Sequence, residues 1–160
     1  MIAFFEYNWQ VRDEWFDWCA QLSAEELLKE RTGGAGSILY TLFHIMDVEY
    51  SWIRGIQGKE DVTVAFADYA TLERIKALSN QWRREVAEFL QSDLEQLREK
   101  LVRVPWDERT YTGNEILHHV IAHEIHHIGQ LSVWARELNL SPVSAAFVGR
   151  ELKPRQIKKA

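Results

Sequence analysis

Apolar residues recur at three- and four-residue spacing through most of this chain, the period of helices that bury one face. From Ile2 to Leu22 the set Phe5, Trp9, Val11, Trp15, Phe16, Cys19 and Leu22 follows that period with no proline or glycine to interrupt it, predicting a first long helix. Ser23 followed by Glu26 is a capping-box pattern and predicts a short helical turn over Ala24 to Lys29. Thr32-Gly-Gly-Ala-Gly36 then breaks the chain. Ser37 caps a second long helix running to about Arg54, and Gly55 and Gly58 end it. Residues 55–70, mostly polar or small and without a period, read as a connecting loop. Thr71 opens a third helix to about Leu90, whose buried stripe is Leu72, Ile75, Leu78, Trp82, Val86, Phe89 and Leu90.

Beyond Leu90 the period changes. Ser92 and Glu95 repeat the capping-box pattern over a short segment, and Leu101-Val-Arg-Val104 and Thr110-Tyr-Thr112 read as two short strands around a turn at Pro105 to Arg109. Thr112 with Glu115 is a third capping box and launches a helix from Gly113 to about Leu138, which Asn139 and Pro142 stop. Residues 143–160 have weak periodicity and form a C-terminal extension, irregular or a short helix, with a basic tail of Lys153, Arg155, Lys158 and Lys159. Four long helices in a short chain bury their stripes most simply as a bundle. The expected fold is all-α, a four-helix bundle with a small β-hairpin before the last long helix, in a single domain over residues 1–160.

Composition narrows the function. A formal charge of -5 disfavours nucleic acid, whose binding draws on Lys and Arg against phosphate. The single cysteine, Cys19, excludes an internal disulfide and fits a reducing, cytoplasmic setting. No apolar run approaches the roughly 20 residues of a membrane span.

The chemistry concentrates in Ile116 to Trp134, where five of the six histidines fall within residues 118–127. On a helix, His119, His123, His126 and His127 share one face and His118 points away. Imidazoles at i and i+4 can converge on one ion because their Cβ atoms are about 6 Å apart. His119, His123 and His127 offer two such pairs in series. All three cannot meet one ion, since i and i+8 are about 12 Å apart on a straight helix. A ligand from elsewhere is required, and the remaining histidine is His44, beside Ser37, Thr41, Val48 and Ser51 on the second helix. His123-Glu124-Ile125-His126-His127 also satisfies HExxH, in which two histidines hold zinc and the glutamate is the general base of a protease. Gln130 and Val133 stand where the extended form of that motif needs Gly and His, and no sheet edge suited to a peptide is evident. Glu124 then reads as a rim or solvent residue beside the site.

YNW in the first helix, GSILYTLFHIMDVEYSW over the second and ILHHVIAHEIHHIGQL over the fourth together resemble the DinB-like (DinB/YfiT-like) metalloproteins, nearly throughout the chain to about Pro142. The most specific features are the second-helix histidine and the H-x-x-x-H-H-x-G-Q type segment, matched by His126, His127, Gly129 and Gln130. The resemblance implies a metal triad of His44, His123 and His127, leaving His119 and His126 to orient ligands or to pack. It implies a divalent metal, commonly nickel or zinc, and a homodimer. Members include bacillithiol- and mycothiol-dependent transferases and isomerases.

A coordinating thiol loses its proton near neutral pH. The expected activity is therefore a metal-dependent transferase joining a small, bacillithiol-like thiol to an electrophile, with Glu124 as the candidate acid–base residue. Water activation for hydrolysis and a non-catalytic metal-binding bundle are the competing uses.

Overall fold

The computed structural model describes residues 1–92 and 94–152. The basic tail at Lys153, Arg155, Lys158 and Lys159 lies outside the described residues. The elements are α1 (Ile2–Cys19), α2 (Ala24–Leu28), α3 (Ile38–Gln57), a 3-10 turn (Phe66–Tyr69), α4 (Leu72–Phe89), α5 (Leu94–Arg98), β1 (Leu101–Val104), β2 (Asp107–Thr112) and α6 (Gly113–Glu137). The expected all-α architecture with a hairpin before the last long helix is the one observed.

The helix starts follow the caps in the sequence. The side chains of Ser23, Ser37 and Thr71 accept from the backbone N–H three residues on. At α6 the box is reciprocal, with Thr112 Oγ1 accepting from Glu115 N and the Glu115 carboxylate accepting from Thr112 N. The helix ends differ more. α1 stops at Cys19 rather than Leu22, and residues 20–22 form a turn closed by backbone bonds to Asp17, Trp18 and Cys19 carbonyls. α3 continues through Gly55 to Gln57 and is capped by Gly58, whose φ of 70° suits glycine. Gly55 serves another purpose, because a Cβ there would lie 2.8 Å from Val104 Cγ1. Its bare backbone admits the hairpin against α3. Within the stretch expected as loop, Phe66–Tyr69 makes a turn of 3-10 helix. β2 begins at Asp107, leaving Pro105 and Trp106 between the strands, and the register shifts between Arg103 and Val104.

α6 and α4 each pack against both α3 and α1, so α1 and α3 lie diagonally across the bundle. The large side chains Trp15, Phe5, Phe16, Leu42, Ile45 and Ile53 are nearly or wholly removed from water, each contributing roughly 1.5–3 kcal/mol of transfer energy. Residues 141–151 run back along α1, held by Trp18 Nε1 donating to Ser141 O, Tyr7 OH to Ala145 O and Gln10 Nε2 to Glu151 O. Among the described residues, no helix is long and apolar enough to cross a membrane.

The diagonal is bridged by charge. Arg12 of α1, 1% exposed, donates Nε and Nη2 to the two carboxylate oxygens of Glu124 on α6 at 2.8 and 2.6 Å. Its Nη1 donates to Glu49 of α3 at 3.2 Å, and Trp9 Nε1 donates to the same carboxylate at 3.0 Å. Burial works against the Arg12 charge, but Glu124 and Glu49 more than offset it and hold its proton above the usual range. Replacing Arg12 by Leu strands two buried carboxylates, and loss of one partner from such a pair costs about 3–5 kcal/mol. Urea unfolding of Arg12→Leu is expected to show a loss of that order, and wild-type stability in the variant would show that the network contributes nothing.

Candidate metal centre

His44 lies on the inner-middle part of α3, and His123 and His127 are successive on one face of α6, the helix packed against it. The two helices bring three Nε2 atoms together. His123 Nε2 is 3.0 Å from His44 Nε2 and 3.1 Å from His127 Nε2, and the potential ligand atoms of all three lie within 4.8 Å of one another. Ligands on a tetrahedral ion at 2.0–2.1 Å are roughly 3.3 Å apart, so the donor set fits a divalent cation after small adjustments. His44 and His123 are half-buried and His127 is 8% exposed. The site thus has an open side. Among the described residues no other three His, Cys, Asp or Glu side chains converge in this way.

The imidazoles are held neutral. Burial, then His127 and His44 and more weakly His119 and His126, push His123 down to about 3. Burial and His127 lower His44, and burial lowers His127 despite the opposing hydrogen bond it donates to Gln130 Oε1. Neutral imidazole is the form that offers a lone pair to a metal.

Aromatic rings flank the centre on both sides. Tyr40 stacks at 6.4 Å on His44 and contacts Phe43 and Phe66. On the other side His119, its ring 5.8 Å from His123, meets Trp52, which in turn touches Trp106 and Tyr111. His119 is itself exposed and makes ring contacts only at the edge of the triad. His126 is exposed and reaches Gln130 Nε2 at 2.9 Å, while Gln130 Oε1 lies 2.6 Å from His127 Nδ1. His118 points away, as expected, with Nδ1 at 2.8 Å from Asn114 O.

Glu124 occupies a different place from the rim position read in the sequence. It is 1% exposed and both its oxygens are taken by Arg12, because the residue after His123 is turned by about 100° toward α1. Arg12 and Glu49 are the partners that sequence reasoning did not single out, while Gln130 stands in the sequence as part of the H-x-x-x-H-H-x-G-Q type segment without an assigned partner. Arg12 sits within the apolar stripe of α1, and Glu49 within that of α3, which was the available signal. Asp47, one turn after His44, is also half-buried, and burial and the nearby Asp61 push its carboxyl up to about 6.

A helical bundle in which two helices converge three neutral imidazoles defines a histidine-triad protein of a geometry compatible with metal binding. The chain belongs to the DinB family, whose profile matches residues 1–154. It is similar to the protein YizA of Bacillus subtilis (strain 168), 68% identical over 155 residues that cover 96% of this chain and 98% of YizA.

The depressed imidazoles make acid destabilising in the metal-free protein. An unfolded histidine takes up its proton near 6.5 and native His123 only near 3, so between these values the unfolded state binds more protons and stability falls as pH falls. Urea midpoints from pH 7 to 4.5 are expected to drop more steeply for the wild type than for His123→Ala. Parallel curves would show that His123 titrates normally in the folded protein.

Proposed function

We propose that His44, His123 and His127 hold a divalent cation, nickel or zinc, and that the protein transfers a small, bacillithiol-like thiol to an electrophilic carbon. The observation that carries this reading is the convergence of three Nε2 atoms, two of the pairs at 3.0 and 3.1 Å, on a face that is only half-buried. Three protein ligands leave positions for an exchangeable group, the pattern of a catalytic rather than a structural ion. A bound divalent ion of this kind supplies a lowered proton affinity to a thiol and a fixed position from which it can attack.

The residues of the chain supply the rest. His44 comes from one helix and the His123/His127 pair from another, so the three nitrogens are fixed by helix packing rather than by loops. The rings of Tyr40, Phe43 and Phe66 on one side, and of Trp52, Trp106 and Tyr111 on the other, limit water and offer apolar surface to an acceptor. Glu124 is bound to Arg12 in the core, and the proposal gives it no proton-transfer step. A homodimer in a reducing cytoplasm belongs to the same reading, resting on the family resemblance and on the single, buried Cys19.

His44→Ala, His123→Ala and His127→Ala are each expected to lower zinc or nickel affinity by more than the roughly 10–100-fold that loss of an outer-shell partner costs. His118→Ala should leave it unchanged. Full occupancy in His44→Ala, measured by metal analysis after dialysis, would overturn the triad. The metal-loaded protein is expected to consume at least one member of a panel of low-molecular-weight thiols in the presence of an alkylating acceptor. Metal-dependent hydrolysis with no turnover of any thiol would replace the transferase reading by a hydrolase.

A further inference from the structure

We propose that Gln130 is a positioning residue of this centre: its side-chain amide sets the tautomer of His127 so that a lone pair, and not an N–H, faces His44 and His123. The inference deepens the metal-site reading and rests on it for the purpose of the device, but the tautomer itself can be tested without any metal.

Donors and acceptors decide the arrangement. Gln130 Oε1 lies 2.6 Å from His127 Nδ1, and an amide oxygen can only accept. With the amide oxygen in this place, Nδ1 carries the hydrogen. A neutral imidazole has one such hydrogen, so Nε2 of His127, 3.1 Å from His123 Nε2, is left bare and aimed at the centre. The other end of the amide can only donate, and it lies 2.9 Å from His126 Nε2, which accepts. The observed amide orientation satisfies both contacts at once.

The opposite orientation would invert the site. Turned by 180°, the NH2 group would face His127 Nδ1, the ring hydrogen would move to Nε2, and an N–H would point at the position a cation would occupy. Two histidines adjacent in sequence thus have distinct uses: His126, exposed at the surface, takes the amide hydrogen, and His127 supplies the lone pair. This gives a physical reason for the second of the paired histidines and for a glutamine three residues after it.

A third element bears on the same amide. Gly34, in the turn between α2 and α3, approaches so closely that a Cβ there would lie 3.0 Å from Gln130 Oε1 and 2.6 Å from the Trp134 ring. Its φ of 59° is in the left-handed region that glycine adopts freely. The turn is tied down by Trp134 Nε1 donating to Thr32 O at 3.2 Å. The break in the sequence pattern at residues 32–36 therefore backs the oxygen end of the amide, restricting its movement.

The test uses the full chain labelled with 15N at histidine, metal-free and at neutral pH, with long-range 1H–15N correlations to assign each ring. The expected result is the Nδ1–H tautomer at His127 in the wild type. Gln130→Leu removes the acceptor and is expected to shift His127 toward the other tautomer and to weaken zinc binding by about 10–100-fold. Gln130→Glu restores an acceptor and is expected to keep the Nδ1–H tautomer and zinc affinity within a few fold of wild type. Circular dichroism confirms that both variants fold, and a variant that does not fold is replaced by Gln130→Met or Gln130→Asp in the same comparison. An Nε2–H tautomer in the wild type overturns the proposal. So does Gln130→Leu with unchanged tautomer and affinity, or Gln130→Glu as weak as Gln130→Leu. A wild type that shows Nδ1–H at His127 yet binds no zinc overturns the metal-site reading, and Gln130's role in it, while leaving the tautomer assignment standing.

Discussion

A guanidinium withdrawn from water must find carboxylates with good geometry or the fold does not hold, and Arg12 meets that demand at the point where α1, α3 and α6 come together. The consequence is positional. Glu49 is on α3 five residues after His44, and Glu124 is the residue after His123 on α6. A sliding of either helix that separated the histidines would also draw a carboxylate off the arginine. The bidentate pair at 2.8 and 2.6 Å fixes α6 against α1, and the 3.2 Å bond from Nη1 to Glu49 ties α3 to the same guanidinium. Well-packed apolar residues of similar volume could match the net stability of such a buried ion network, whereas removing one partner from it is costly.

The site and the core network have divided the polar residues of α6 between them. Alternate faces of one helix carry a charged, fully satisfied cluster inside and a neutral, lone-pair-rich cluster at the edge. The distinction matters chemically, since the carboxylates are already bonded to Arg12 while the imidazoles are uncharged and have an open side. Of the aromatic rings around the triad, Phe43 is buried while Trp52, Phe66 and Tyr111 are half-buried and border the site instead of closing it.

Much of this architecture is legible in the sequence because the helices are long, strongly periodic and capped by side chains that name their own starts: Ser37, Thr71 and Thr112 all cap as their spacing predicts. Helix ends are less legible, since termination depends on contacts made elsewhere. Gly55 reads locally as a breaker, but Val104 of a distant hairpin needs its missing Cβ, and α3 runs on to Gly58. The meeting of His44 with the pair on α6 is brought about by tertiary packing that the geometry of α6 alone only demands in outline. Glu124 was misplaced for a related reason: HExxH draws the eye to chemistry, while the partner that claims this glutamate is Arg12, 112 residues away in the chain. Gln130 is visible in the sequence as part of the H-x-x-x-H-H-x-G-Q type segment, but its role depends on which end of an amide faces which ring.

The position of the histidine pair along α6 carries a further consequence. His123 comes ten residues after the first residue of this helix, Gly113, and His127 ten residues before the last, Glu137. Fraying opens the ends of a helix first and rarely reaches its middle, where backbone amides exchange with solvent only through larger cooperative openings. The two imidazoles therefore sit in the part of α6 that fraying reaches last. The segments that border the site, the turn around Gly34 and the connection through Phe66, lie outside the long helices that hold the nitrogens.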